Sequence, residues 1–121
     1  MNLYHLHLNA RDPAISQAFY ETYFGFRRHF PDAPELFLAN DRGFLLALGQ
    51  LADTETLSLP DWFHLGFQGE SAAAVRALFD RMERDAIPIA EPWASFPSGT
   101  VKFHCLDPSG YRIEVRWDPV R

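Results

Sequence analysis

Two imidazoles, His5 and His7, stand two residues apart in the stretch YHLHLN. Read as a strand, that stretch points Tyr4, Leu6 and Leu8 to one face and His5, His7 and Asn9 to the other. A third imidazole, His64, lies in FHLGFQ, sharing a face with Gly66 and Gln68 opposite Phe63, Leu65 and Phe67. In YRIEVRW, Glu114 shares a face with Arg112 and Arg116, opposite Tyr111, Ile113, Val115 and Trp117. In VKFHCL, Lys102 and His104 lie opposite Val101, Phe103 and Cys105. Imidazoles can ligate a metal or move protons near neutral pH, and a carboxylate adds a hard anionic ligand. The same alternation also suits polar residues on a wet sheet face. His7 would line that face about one pleat repeat (~7 Å) from His5, placed to orient a substrate or act as acid or base. Lys102, His104, Arg112 and Arg116 on one face would favour an anionic substrate, although Lys102 and Arg116 also fit a solvated edge strand.

These groups need a scaffold, and the bulk composition permits one. The chain has 121 residues, 47% of them hydrophobic and 15% aromatic, which suits one domain with a real core. The net charge of −5 and the lack of a Lys/Arg block argue against nucleic acid or an anionic membrane as partner. A single cysteine, Cys105, allows no internal disulfide and no cysteine-rich zinc site. With no signal-peptide pattern and no membrane-length apolar run, the expectation is a soluble, cytoplasmic domain.

Along the chain, Leu3 to Leu8 is a strand. Asp12 caps a helix that opens with Pro13, carries Ala14, Ala18, Phe19 and Phe24 on its apolar stripe, and ends at Gly25. Strands are expected at Phe26–Phe30, Leu36–Ala39 and Phe44–Leu48. The order then repeats. A strand over Trp62–Gln68 precedes a helix over Ala73–Asp85, whose inward residues are Val75, Leu78, Phe79 and Met82. A short strand at Ile87–Ala90 leads into the loop EPWASFPSG, where Trp93 and Phe96 are candidates for a wall or lid over a ligand. Val101–Leu106 and Tyr111–Trp117 are strands joined by the turn DPSG. Shifting the first half by 59 residues (64 − 5) puts His5 on His64 and Asn9 on Gln68. Two βαβββ units result, about 1–52 and 60–121.

The opening HLHLNARDPAISQAFYETYFGF and the closing FHCLDPSGYRIEV resemble the vicinal oxygen chelate superfamily. That superfamily includes glyoxalases, extradiol dioxygenases, fosfomycin-resistance enzymes and bleomycin-binding proteins. The resemblance covers nearly the whole chain. It implies an α+β fold in which two βαβββ modules form a cupped mixed sheet with helices on its convex face. It also implies a divalent metal ion (Fe, Mn, Zn or Ni) held by His5, His64 and Glu114. His7 and His104 would be the acid/base or supporting groups, and Arg112, Arg116, Lys102, Trp93 and Gln68 would meet the substrate. The expected activity is that of a metal-dependent lyase, dioxygenase or transferase acting on a small oxygen-rich, anionic molecule. The expected assembly is a homodimer. The alternative is a metal-free protein that sequesters a bleomycin-like drug. Aligning Gly43 with Gly110 puts Ala47 where Glu114 stands, and alanine cannot supply the fourth ligand of glyoxalase-type members unless Glu55 reaches in. A three-ligand set looks more like the fosfomycin-resistance enzymes or the dioxygenases, and the branch stays open.

Overall fold

The computed structural model describes residues 1–119. The chain forms two compact units, Met1–Leu57 and Ser58–Arg121. Each contains one helix and a four-stranded mixed sheet in βαβββ order.

In the first unit, β1 (His5–Ala10) leads into α1 (Pro13–Phe24), followed by β2 (Arg27–His29), β3 (Leu36–Ala39) and β4 (Leu45–Gln50). The helix starts and stops where local chemistry dictates. Asp12 Oδ1 accepts from the Ala14 and Ile15 N–H groups at 3.1 and 3.3 Å. Gly25 ends the helix in the left-handed region, φ 70°, which is costly for a side chain bearing Cβ. The sheet order is β1-β4-β3-β2, with β1 parallel to β4 and the other pairs antiparallel. Leu8, Ala10, Leu38, Leu46 and Leu48 are buried with Phe19 and Tyr20 of the helix. His5 and His7, of opposite parity, stay exposed.

In the second unit, β5 (Leu65–Gln68) precedes α2 (Ala72–Arg84), β6 (Ile89–Ser95), β7 (Val101–Leu106) and β8 (Arg112–Trp117). The order β5-β8-β7-β6, with β5 parallel to β8, repeats the first unit. Ser71 Oγ caps α2 by accepting from Ala74 N–H at 3.0 Å. Val75, Phe79 and Met82 are buried, while Leu78 is only half-buried. Beneath them Phe103 and Ile113 are fully buried, each stabilising the fold by about 1.5–3 kcal/mol through apolar burial.

Most expected boundaries shift by no more than two residues, and two shift further. The strand expected from Trp62 begins at Leu65, because Trp62 adopts φ 73° in a turn where Phe63 N–H donates to Pro60 O at 3.1 Å. The segment from Glu91 to Ser95, expected as a loop, is strand β6. As an edge strand it tolerates Pro92, which has no N–H, and its register shifts between Ile89 and Glu91 and again between Glu91 and Ala94. Trp93 is therefore not on a loop. It packs against Phe79 of α2, with the Arg76 guanidinium over its ring at 5.0 Å.

The turn DPSG sets the register of β7 against β8. Asp107 O accepts from Gly110 N–H at 3.0 Å, and Asp107 Oδ1 accepts from Ser109 and Tyr111 N–H, both at 2.9 Å. Gly110 has φ 99°, a value that favours glycine. Burial, with Asp107 nearby, pushes the Cys105 thiol up to about 12. A thiol-alkylating reagent at about pH 8 should therefore leave Cys105 unmodified in the folded protein and label it fully in denaturant. Rapid labelling of the native chain, read by mass spectrometry, would contradict this burial.

Candidate functional site

Pairing in the second unit makes a row of side chains across the sheet. Gly66 on β5 lies beside Glu114 on β8, Glu114 beside His104 on β7, and His104 beside Glu91 on β6. Gly66 contributes no side chain, so His64, just ahead of β5, reaches the carboxylate. His64 Nε2 lies 3.1 Å from Glu114 Oε2.

The other ring nitrogen decides what that distance means. His64 Nδ1 lies 2.7 Å from Trp62 O. A carbonyl only accepts, so Nδ1 carries the hydrogen. In a neutral imidazole Nε2 then bears a lone pair, and it faces a carboxylate oxygen. Two acceptors at that separation repel unless a proton or a cation lies between them. Fixing one nitrogen of a histidine on a backbone carbonyl while the other is presented to a metal is the usual arrangement around metal-ligating histidines. The donor set of His64 and Glu114 therefore fits a divalent cation.

His104 answers to the opposite tautomer. Its Nδ1 lies 3.2 Å from Arg112 Nη1. Arginine has no acceptor, so Nδ1 accepts and Nε2 carries the hydrogen. Nε2 is buried without a hydrogen-bond partner and points toward Glu114 Oε2 at 3.6 Å. Desolvation lowers the His104 pKa below the ordinary histidine value, outweighing the pull of Glu114 and Glu91, which favours the neutral ring. His104 thus presents a neutral N–H toward the carboxylate. Among the described residues, no group of three or more His, Cys, Asp or Glu side chains is gathered as a metal cluster.

The remaining candidates separate by charge. Arg112 lays its guanidinium 4.7 Å from the centre of the Trp62 ring. Lys102 Nζ stands 5.8 Å from the Phe96 ring centre. Arg116 is neutralised: its Nε lies 2.9 and 3.1 Å from the Asp118 carboxylate oxygens, and its Nη1 lies 3.6 Å from Glu114 Oε1. The hydrogen bond to Asp118 raises its pKa further. The expected cluster of cations on this face is thereby reduced to Lys102 and Arg112. Gln68 is exposed on β5 beside Arg116.

In the first unit, His5 is exposed, its ring edge against Tyr4 at 4.6 Å. His7 Nε2 and Asn9 Oδ1 are 2.8 Å apart, so Nε2–H donates to the amide oxygen. Gly49 makes room for this pair. A Cβ there would stand 2.5 Å from Asn9 Oδ1 and 2.7 Å from His7 Nε2. Gly49→Ala should therefore displace the His7–Asn9 bond with little loss of stability, because both crowded atoms end side chains that can turn away. The His7 ring resonances report the displacement; an unchanged His7 spectrum would refute it. Ala47, beside His7 and Phe37 in the sheet, is 5% exposed and carries no donor. Glu55 turns its carboxylate to Ala52 N–H at 3.0 Å.

Trp62 is the residue that pattern reading missed. Alternation placed it on the His64 face, and that parity was the available signal. Its left-handed backbone and its contacts with His64, His104 and Arg112 come from the fold.

Such an arrangement on a pair of βαβββ units defines a class, and sequence comparison gives the family. The profile of the Glyoxalase/Bleomycin resistance protein/Dioxygenase superfamily matches residues 2–115, and the chain belongs to that superfamily. Among solved structures, a possible glyoxalase from Bacillus cereus is 27% identical over 95% of this chain and 97% of its own, with a TM-score of 0.77. A lactoylglutathione lyase from Agrobacterium tumefaciens shares the fold at 22% identity, covering 96% and 92% of the two chains, TM-score 0.72. The fosfomycin resistance protein FosX from Listeria monocytogenes does so at 16% identity, covering 99% and 95%, TM-score 0.80. No curated protein matches the chain. Among the described residues, no helix is long and apolar enough to cross a membrane.

Proposed function

We propose that this protein is a divalent-metal-dependent enzyme of its superfamily, acting on a small oxygen-rich, anionic substrate. The observation that carries the reading is His64, fixed by its Nδ1–H on Trp62 O with Nε2 turned to Glu114 at 3.1 Å. His64 and Glu114 of the second unit would hold the ion, which is Fe, Mn, Zn or Ni, and His5 is added as a third ligand by resemblance to the family's pattern alone. When bound, the ion would polarise substrate oxygens and stabilise negative charge developing on them.

The chain's own groups do the rest. Arg112 and Lys102 attract the anion, and Gln68 offers an exposed amide to its polar atoms. His104 turns a neutral Nε2–H toward Glu114 at 3.6 Å. His7, exposed and bonded to Asn9 through Nε2, is the candidate acid/base group of the first unit. Alanine at position 47 favours three-ligand chemistry of the dioxygenase or fosfomycin-resistance type over glyoxalase isomerisation. A cytoplasmic homodimer completes this reading, and a strict monomer by light scattering would remove its dimer.

Elemental analysis of untagged protein purified without chelators tests the proposal, with His5→Ala alongside. About one equivalent of metal, lost in the variant, supports it. No metal, and none taken up when each is offered, moves the protein to metal-free drug sequestration.

A further inference from the structure

Trp62 combines three features that simple packing does not require. Its backbone sits at φ 73°, a conformation that bulky residues rarely adopt. Its carbonyl is the acceptor that fixes the His64 ring. Although the residue is 56% exposed, its indole lies nearly parallel to His104 (centroids 5.4 Å apart, planes at 24°) and under the Arg112 guanidinium at 4.7 Å. Burial of apolar surface does not explain so exposed a residue. The left-handed backbone links its two tasks, since it aims the carbonyl at His64 while the ring lies over His104 and Arg112.

We propose that Trp62 is the positioning residue of this site. Its carbonyl selects the His64 tautomer that leaves Nε2 unprotonated, and its ring clamps Arg112 and His104 so that the guanidinium faces an anion in a fixed orientation. Arg112 already spends one donor on His104 Nδ1. The stacked, planar guanidinium then presents a preset edge of N–H groups, which suits a carboxylate- or phosphate-bearing ligand better than a neutral one. This inference rests on the functional reading above for its ligand. Its account of His64 and Arg112 can be read in metal-free protein.

The experiment uses the full chain with Trp62→Phe and Trp62→Gly. Trp62→Phe keeps an aromatic face. Trp62→Gly removes the ring and frees the backbone. Nitrogen-15 spectra of the metal-free protein in alkaline buffer report the His64 tautomer. The wild type should show Nδ1–H alone, the Gly variant a mixture of both tautomers, and the Phe variant the wild-type pattern. Zn²⁺ titration should show the Gly variant weakened roughly 10–100-fold, the range for loss of an outer partner of a metal ligand, with Phe restoring most of it. Arg112 side-chain resonances should broaden in the Gly variant alone. A wild-type His64 carrying its hydrogen on Nε2 overturns the proposal. So does a Gly variant with an unchanged tautomer and an unchanged Arg112. A Phe variant as impaired as Gly, with far-ultraviolet circular dichroism and melting unaltered, overturns the clamp. If wild-type protein takes up none of Fe, Mn, Zn or Ni but shows the expected tautomers, the metal-enzyme reading fails and the positioning role stands.

Discussion

His64→Ala should abolish stoichiometric metal binding while leaving the fold intact. The ring is half-exposed and its bonds are to Trp62 O and Glu114, so its removal opens no core cavity. What remains in the second unit is a Glu114 carboxylate with the His104 N–H 3.6 Å away, which attracts a cation without enclosing it. The affinity loss should exceed the roughly 10–100-fold expected for an outer partner, because a ligating atom itself disappears. Metal content by elemental analysis and affinity by titration give the result, and circular dichroism confirms the fold. Retention of one equivalent of metal at wild-type affinity would show that Glu114 and His64 are not a ligand pair, and their 3.1 Å contact would then be purely structural.

The second large effect concerns stability. Phe103→Ala should cost about 3–5 kcal/mol and lower the melting temperature by roughly 10 °C or more. Phe103 is fully buried, and it meets Phe79 of α2 edge-on at 5.1 Å. Its neighbours on β7 and across it, Cys105, Ile113 and Val115, are also buried, so little can collapse into the cavity. The substitution also loosens the strand that carries His104. Metal affinity should therefore weaken modestly even below the melting point. A loss under about 1 kcal/mol in denaturant titration would mean that α2 repacks onto the sheet far more readily than its interdigitated aromatic rings suggest.

Much of this protein is written in local pattern. Asp12 with Pro13 and Gly25 bounds α1 because a side-chain cap, a fixed φ and a left-handed stop act within a few residues. Alternation over Val101–Leu106 predicted β7 with both of its ends. Asp-Pro-Ser-Gly predicted the turn that joins β7 to β8. Parity assigned His64, His104 and Glu114 to a face opposite the apolar residues, because successive side chains of a strand point oppositely.

Tertiary structure decided the rest. Parity names a face but does not say which strands become neighbours or in what register. The parallel pairing of β5 with β8 brings residues distant in sequence side by side, and it is this that sets His64 beside Glu114. The neutralisation of Arg116 is partly local, since Asp118 two residues on shares its face, but the approach of Glu114 and Asp118 to one guanidinium is seen only in the fold. Pro92 and the register shifts beside it made β6 read as a loop, because its pairing with β7 survives without regular alternation. The left-handed backbone of Trp62 is fixed by what it touches, since the residue's own preference opposes it. Residue types and faces are properties of the chain; the distances between groups on different strands arise only when strands remote in sequence are packed together.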